Sequence, residues 1–227
     1  MIMNFVFDLY NTLIDIRTDE RRQETWTPVV EYFKAHGMKR VDERSLAESY
    51  ERYWKLFEER AKAERVYVYP ECDAVSVFES MARAAGGKLS RSQAEEALKI
   101  ARRASIVWLR PFDGVKELLE KLRERGAKLY LLSNAQAAFV YDEIKDCGLD
   151  GVFDGVLISS ECGCRKPDKA FFGILFDKYD LDKSATVMVG DDAQNDVHGA
   201  HAFGIEAVWA GGGAVAHEKE LLDIIGA

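Results

Sequence analysis

The stretch VMVGDDAQND, residues 187–196, places three acidic side chains directly after a short apolar run. An apolar run of this length that ends at a glycine is typical of a strand buried in a parallel sheet. The pattern recurs at residues 4–8 (NFVFD), where an aspartate again closes the run. Because ligands bind beyond the carboxyl ends of the strands in open α/β sheets, these two stretches indicate both the fold and the edge at which a site is expected.

Further short runs of β-branched, aromatic and other apolar residues lie at 127–133, 155–159, 185–190 and 205–209. From residue 109 onward such runs alternate with helical patterns. One helix is expected to have Asp113 as its N-cap and to end at Gly126. This alternation predicts an α/β fold with a doubly wound, open parallel sheet.

Residues 16–108 contain no convincing strand, and the segment is far longer than an ordinary connection. Its apolar residues have helical spacing, at Trp26, Val29, Val30 and Phe33, at Leu46, Tyr50, Tyr53, Trp54 and Phe57, and after a capping box at Ser90 and Gln93. The sequence therefore predicts a discontinuous core domain, 1–15 and 109–227, and an inserted helical domain, 16–108. The aromatic side chains of the insert are expected to form its own core or to line a substrate pocket.

The composition excludes several classes of partner. The 227 residues carry a formal net charge of -8, so no positive excess is present to neutralise a nucleic acid. No apolar run approaches the ~18 residues that a membrane span needs, and Asp8 and Asp15 interrupt the apolar N-terminus where a signal peptide would need a continuous core. We therefore expect a cytoplasmic protein that uses neither nucleic acid nor membrane. The four cysteines lack the spacing of a structural zinc site and are expected to be reduced thiols.

Side chains that can do chemistry follow four of the strands. They are Asp8 and Thr12, Ser133 and Asn134, Lys166, and finally Asp191, Asp192 and Asp196. Taken singly, each has a structural explanation as a cap, a turn residue or a solvated charge. Taken together, they meet at one edge of one sheet and supply a carboxylate nucleophile, hydroxyl groups, an ammonium and ligands for a hard cation.

These motifs resemble those of the haloacid-dehalogenase (HAD) superfamily, in the branch whose helical cap is inserted between the first two motifs. The resemblance covers essentially the whole chain. It implies a hydrolase in which Asp8 is the nucleophile and Thr12 supports the first motif. Ser133, Asn134 and Lys166 would contact the substrate, with Lys166 steadying the charge of the nucleophile and of the transferred group.

The resemblance also implies Mg²⁺ as the cofactor. Asp191 would ligate the ion together with Asp8 and the main-chain carbonyl of Tyr10. Asp192 and Asp196 would complete or orient the metal shell. Mg²⁺ suits these residues, because it prefers carboxylates, a carbonyl and waters, and it offsets the repulsion between an attacking carboxylate and a phosphate.

The first motif departs from the pattern of phosphatases in this family. Those enzymes have a second aspartate two residues after the nucleophile, which protonates the leaving alcohol, whereas this chain has Tyr10, and Asn11 replaces the usual glycine. Tyr10 could itself act as a catalytic proton donor, or it could pack over the substrate. DLYNTL resembles instead the motif of the L-2-haloacid dehalogenases, which attack carbon and expel halide without a metal. The acidic run after residue 190 favours a metal, because gathered carboxylates repel each other without a cation.

Three functions are therefore considered. The first is a Mg²⁺-dependent phosphatase that acts on a small phosphorylated metabolite through an aspartyl-phosphate at Asp8. The second is a 2-haloacid dehalogenase-like, carbon-centred hydrolase. The third is a protein that binds a phosphorylated ligand with weak turnover, because Tyr10 replaces a general acid that is typically worth ~10²–10⁴-fold in rate. The sequence identifies neither the substrate nor the oligomeric state.

Overall fold

A computed structural model describes residues 3–225 of the chain. Its strands are short and lie mostly in the second half of the sequence. In the described residues they are β1 (Asn4–Phe7), β2 (Ile14–Thr18), β3 (Ile106–Pro111), β4 (Lys128–Ser133), β5 (Gly155–Ile158), β6 (Thr186–Gly190) and β7 (Glu206–Trp209). Five of them form one parallel sheet in the order β5-β4-β1-β6-β7, and β2 and β3 form a separate two-stranded sheet.

The helices alternate with the strands of the large sheet and also fill the segment between β2 and β3. They are α1 (Gln23–Ala35), α2 (Glu43–Glu64), α3 (Ala74–Ala84), α4 (Arg91–Ser105), α5 (Val115–Glu124), α6 (Ala137–Asp146), α7 (Ser159–Cys162), α8 (Lys169–Tyr179), α9 (Gly199–Phe203) and α10 (Glu218–Ile225), with a π-helix at Ala193–His198. The α/β class with a doubly wound parallel sheet is confirmed.

The chain divides into two compact units. The core unit comprises the chain up to Ile16, Tyr67–Tyr69, and the chain from Leu109 onward. The inserted unit comprises Arg17–Val66 and Pro70–Trp108. The core unit therefore holds the whole five-stranded sheet, and the inserted unit holds α1 to α4.

The core unit is built on β1, which lies at the centre of the sheet. Phe5 and Phe7 face one apolar cluster, which α5, α6 and α10 cover, and Val6 between them faces a second cluster with α8 and α9. Burial on both faces explains why the strands are apolar at nearly every position. The chain runs from β1 to β4 and β5 on one side and then returns to β6 and β7 on the other, so the strand order reverses beside β1.

The inserted unit is a bundle in which α1 packs against α2 and α4, and α3 packs against α2 and α4. The capping box of Ser90 and Gln93 is confirmed at the start of α4. Trp26 and Phe33 are buried, whereas Leu46 is the only buried residue of α2 within its described length. The aromatic residues of α2 are only half-buried. The apolar stripe of this helix is narrow and is broken by charged residues.

Two expectations about the elements were wrong. β2 and β3 lie at the two ends of the insert, in a region where no strand was expected. Neither resembles a buried strand, because β2 has one buried residue and β3 has none. Asp113 does not cap α5, because the N-cap is Gly114 in the left-handed region at φ 85°. Gly126 does end that helix as expected, also with a positive φ.

Among residues 3–225, no helix is both long enough and apolar enough to cross a membrane. The cysteines of this part of the chain form no disulfide, as expected: Cys72, Cys147 and Cys164 are buried and Cys162 is partly exposed.

Candidate active site

The carboxyl ends of β1, β4 and β6 lie side by side. Phe7, the last residue of β1, pairs with Leu131 on one side and Val189 on the other. The next residue, Asp8, donates its main-chain N–H to the Val189 carbonyl at 2.9 Å, and the chain then leaves the sheet. The strand register therefore brings the first, second and last motifs to one edge.

Lys166 is the electrostatic centre of this edge. Its side chain is 1% exposed, and its Nζ lies 2.6 Å from Oδ1 of Asp8 and 2.7 Å from Oδ1 of Asp196. It also donates to the main-chain carbonyl of Leu132 at 2.6 Å. A buried ammonium needs such partners, since removing it from water unpaired costs several kcal/mol. Lys166 thus links the first and last motifs.

Asn134 holds the main chain of Lys166. Its Nδ2 donates to the Lys166 carbonyl at 3.0 Å, and its Oδ1 accepts from the Lys166 N–H at 2.8 Å. Both ends of the amide are thus used on the protein itself. Asn134 was expected to contact the substrate. In the structure its side chain binds the main chain of Lys166 and holds this lysine in place.

Thr12 links the first motif to Asp191. The buried hydroxyl donates to Oδ1 of Asp191 at 3.1 Å and accepts from the Asp191 N–H at 3.1 Å. The turn that presents Thr12 contains Asn11 at φ 59°. After glycine, asparagine is among the residues that adopt this left-handed conformation most readily, which explains how Asn11 can stand where glycine is usual.

Asp196 and Asp192 have different surroundings. Asp196 is 1% exposed and its Oδ2 accepts from the Asp192 N–H at 3.0 Å. A Cβ added at Gly190 would overlap the Asp196 carboxylate, so only glycine allows this close approach. The Asp192 carboxylate instead caps the π-helix, accepting from the N–H groups of Gln194 and Asn195. The structure therefore brings Asp196 into the site and turns Asp192 away from it.

Burial sets the protonation equilibria of the site. It raises the pKa of Asp8 from 3.8 to about 7, and the charges of Asp196 and Asp191 add to the rise while Lys166 opposes it. Burial alone would lower the pKa of Lys166, but the carboxylates of Asp196 and Asp8 outweigh it and raise that pKa. Burial also raises the pKa of Asp191. When Asp8 and Asp196 are both ionised, they carry more negative charge than the ammonium of Lys166, which contacts both, neutralises.

A divalent cation fits this donor set. One carboxylate oxygen from each of Asp8, Asp191 and Asp196 lies within 4.8 Å of the others. Carboxylate oxygens are the ligands that Mg²⁺ prefers, and the ion would offset the repulsion by Asp196 and Asp191 that adds to the effect of burial on the pKa of Asp8. These three residues, with main-chain carbonyl groups, are the candidates to hold it.

Mg²⁺ binding is expected to weaken as the pH falls below about 7. An ion held by Asp8 would bind the carboxylate form of that residue, so below the pKa of about 7 a proton would compete, and the dissociation constant should rise approaching tenfold per pH unit. Calorimetric titrations in two buffers of different ionisation enthalpy would measure both the affinity and the protons released. The Asp8→Asn variant should show a flatter pH profile. An affinity that is constant from about pH 5.5 to about pH 8 would contradict the prediction.

Ser133 offers an unused donor at the same edge. Its hydroxyl, on the last residue of β4, is fully buried and has no hydrogen-bond partner among the described residues. Such groups are rare in folded proteins, because an unpaired buried hydroxyl costs about 1–3 kcal/mol. The orphaned hydroxyl indicates that a ligand atom completes its bonding.

Sequence reasoning missed two residues beside the site, Glu143 and Trp209. The Tyr10 hydroxyl donates to Oε2 of Glu143 at 2.5 Å, and the exposed Trp209 donates its indole N–H to the Asp191 carbonyl at 2.7 Å. The signal for Glu143 was its place on the buried stripe of α6, between Val140 and Ile144. Trp209 gave no signal, because an aromatic residue at a strand end is ordinary.

The sequence matches a family model described as haloacid dehalogenase-like hydrolase over residues 2–204. The chain belongs to this family. Among curated proteins, it is 32% identical over 146 residues to a phosphoserine phosphatase of Thermus thermophilus, covering 63% of this chain and 57% of the relative. It is 37% identical over 93 residues to a ribulose-1,5-bisphosphate 5-phosphatase of Halopiger xanaduensis, covering 41% of this chain and 39% of the relative. The chain thus spans about two fifths to three fifths of these relatives.

Solved structures share the fold of this HAD chain. A 2-haloacid dehalogenase from Pseudomonas syringae superposes with a TM-score of 0.64 at 24% identity, covering 92% of this chain and 86% of that one. A HAD phosphatase from Thermococcus onnurineus gives a TM-score of 0.54 at 20% identity, covering 92% and 86%. Phosphatases and dehalogenases therefore have the same architecture, and the fold does not distinguish between the two reactions.

Proposed function

We propose that this HAD-family chain is a Mg²⁺-dependent phosphatase that acts on a small phosphorylated metabolite, with Asp8 as the nucleophile. The observation that supports it is the group of three carboxylates, Asp8, Asp191 and Asp196, whose oxygens lie within 4.8 Å of one another. Without a cation the three carboxylates would repel one another, which counts against a metal-free carbon-centred hydrolase. We further propose residues 16–108, the insert, as the cap of the enzyme.

The reaction proceeds in two steps. A carboxylate oxygen of Asp8 forms a bond to phosphorus, and the bond from phosphorus to the ester oxygen breaks, so that the leaving group departs with the electron pair. Water then attacks the phosphorus of the aspartyl-phosphate, releasing inorganic phosphate and the Asp8 carboxylate. The metal, when bound, supplies positive charge that offsets a repulsion of about 4 kcal/mol between two unit charges ~4 Å apart.

The chain's own residues orient the two steps. Lys166, already 2.6 Å from Asp8, holds the nucleophile and balances the charge of the transferred group. The unpaired hydroxyl of Ser133 donates to a phosphoryl oxygen, which satisfies its buried donor. Thr12 holds Asp191 through both its donor and its acceptor. These are fixed interactions that need no reorganisation when charge develops.

Several relatives support a phosphorylated substrate. Besides the phosphoserine phosphatase, the chain is 29% identical over 104 residues to a glyceraldehyde 3-phosphate phosphatase of Pyrococcus abyssi. It is 32% identical over 111 residues to the pyrimidine 5'-nucleotidase YjjG of Escherichia coli. The names of these proteins share a phosphate ester on a small molecule, which is the substrate class we assign.

A panel of phosphate esters tests the proposal. Release of inorganic phosphate should require Mg²⁺, stop on addition of EDTA and resume when excess Mg²⁺ is restored. Quenching in acid during turnover should leave a phosphoryl group on the peptide that contains Asp8, because an acyl phosphate survives acid far better than base. No turnover of any ester with Mg²⁺ would refute the proposal.

The second candidate is a carbon–halogen hydrolase. Tyr10 favours it, because halide departs without a proton, and the chain is 28% identical over 101 residues to haloacetate dehalogenase H-2 of a Moraxella species. Halide release from 2-haloacids that persists in EDTA would establish it. A single turnover in heavy-oxygen water separates the two reactions, because an alkyl ester of Asp8 hydrolysed at its acyl carbon leaves the label in Asp8, whereas an aspartyl-phosphate hydrolysed at phosphorus leaves it in phosphate.

A further inference from the structure

Glu143 is an anomaly in the packing of the core unit. It is 4% exposed and is the only buried glutamate among residues 3–225. It lies on the apolar face of α6, where Val140 and Ile144 flank it at helical spacing and pack into the core. A carboxylate in such surroundings is costly unless it is hydrogen-bonded, so this position is expected to serve a purpose other than packing.

The hydroxyl of Tyr10 meets this carboxylate. The phenolic oxygen lies 2.5 Å from Oε2 of Glu143, at the short end of the range for hydrogen bonds between a hydroxyl and a carboxylate. Tyr10 stands two residues after Asp8, directly after β1. The helix that follows β4 therefore fixes a side chain of the first motif, over a separation of 133 residues in sequence.

The direction of this hydrogen bond has a chemical consequence. A carboxylate only accepts hydrogen bonds, and a phenol has one proton, so the proton of Tyr10 lies between Tyr10 and Glu143. While this bond is made, the phenolic oxygen can only accept further hydrogen bonds. Tyr10 therefore has no proton to give to a departing group while it is bonded to Glu143.

We infer that Glu143 is a positioning residue that holds the proton of Tyr10 in a hydrogen bond, and that the site consequently selects phosphorylated compounds whose leaving groups depart unprotonated, namely aryl phosphate esters and acyl phosphates, which are mixed anhydrides. This inference rests on the proposed phosphatase function and deepens it. Alkyl phosphates, whose alkoxides are strong bases, lose the general-acid assistance of ~10²–10⁴-fold and are poor substrates.

The test compares kcat/KM for glycerol phosphate with kcat/KM for para-nitrophenyl phosphate in each variant. Taking the ratio of the two cancels any difference in the fraction of folded enzyme. Tyr10→Phe should leave the ratio within about threefold of wild type, because Tyr10 donates nothing. Glu143→Leu should raise the ratio at least about tenfold, because the phenolic proton is released for donation. Glu143→Gln, whose amide oxygen still accepts from Tyr10, should keep the wild-type ratio.

The double variant Tyr10→Phe with Glu143→Leu removes both polar groups of this contact, and the apolar pair that replaces them leaves no buried carboxylate to destabilise the fold. Its ratio should return to the wild-type value, which supports Tyr10 as the source of the gain. A tenfold fall of the ratio in Tyr10→Phe would show that Tyr10 donates in the wild type and would overturn the inference. An unchanged ratio in Glu143→Leu would overturn it as well. A wild type that hydrolyses neither of these esters nor any other member of the panel with Mg²⁺ would overturn the proposed function, and the inference would fall with it.

Discussion

Replacing Asp8 by Asn should reduce phosphate-ester turnover by at least about 10⁴-fold, the scale of loss when one member of a cooperating catalytic set is removed. The amide cannot form the covalent intermediate, although it keeps the shape of the side chain. Steady-state release of inorganic phosphate with saturating Mg²⁺ is the measurement. Residual activity above about one percent would show that another group attacks the substrate.

The same substitution should stabilise the fold in metal-free buffer. The pKa of Asp8 is raised from 3.8 to about 7, chiefly by burial, so the folded state opposes ionisation of this group. Stability linked to it is fully present below pH 3.8 and is lost as the pH rises through about 7. The amide of the Asp8→Asn variant stays neutral and avoids this loss, although it weakens the contact with Lys166. The net gain in unfolding free energy should be about 1–3 kcal/mol near pH 8.

Urea denaturation in EDTA at about pH 5 and about pH 8 checks both the size and the sign of this effect, since the gain should shrink at the lower pH. Asp182→Asn is the matched control, because Asp182 precedes β6 at the opposite end of the strand and caps the turn at Ser184, where an asparagine caps equally well. The control should change neither activity nor stability. A less stable Asp8→Asn variant at about pH 8 would mean that the Lys166 contact outweighs the burial of Asp8.

The five parallel strands could be predicted because each is buried on both faces and reads as a continuous apolar run. β2 and β3 could not, because β2 mixes apolar with charged residues, and the apolar residues of β3 follow α4 without a break, so neither stands out as a buried strand. The start of α5 was misplaced for a related reason: Asp113 suits an N-cap, but the left-handed turn at Gly114 places the helix one residue later. Local residue preference does not determine which of two adjacent positions the turn uses.

The candidate site could be located from strand ends alone, because parallel strands bring their carboxyl ends to one edge. The partners of each side chain could not be predicted in this way. Asp192 and Asp196 are both acids of one short motif, yet one caps a π-helix and the other reaches Lys166. The bond from Tyr10 to Glu143 joins residues 133 positions apart and depends on how α6 packs on the sheet. Contacts of this kind follow from the tertiary fold.

Replacing Lys166 by Met should lower the free energy of unfolding by about 3–5 kcal/mol in metal-free buffer near pH 8, and should also abolish turnover. Methionine fills much of the same volume, so the cost is chiefly electrostatic. It leaves the buried carboxylates of Asp8 and Asp196 without the ammonium that now lies 2.6 and 2.7 Å away. Chemical denaturation with and without EDTA is the measurement. Lys169→Met, at an exposed position at the start of α8, is the matched control and should change stability by no more than about 0.5 kcal/mol.

The conditions that restore stability to Lys166→Met should identify the cause of its loss. Below about pH 5 Asp8 takes up a proton, because its pKa is about 7, so the deficit should shrink. Added Mg²⁺ should reduce the deficit near pH 8 by supplying the missing positive charge. Asp8→Asn and Lys166→Met thus change the same charge balance in opposite directions, and their effects on stability should have opposite signs. A deficit that is equal at both pH values and insensitive to Mg²⁺ would instead indicate lost packing, and would refute the view that the carboxylates at this edge depend on a cation.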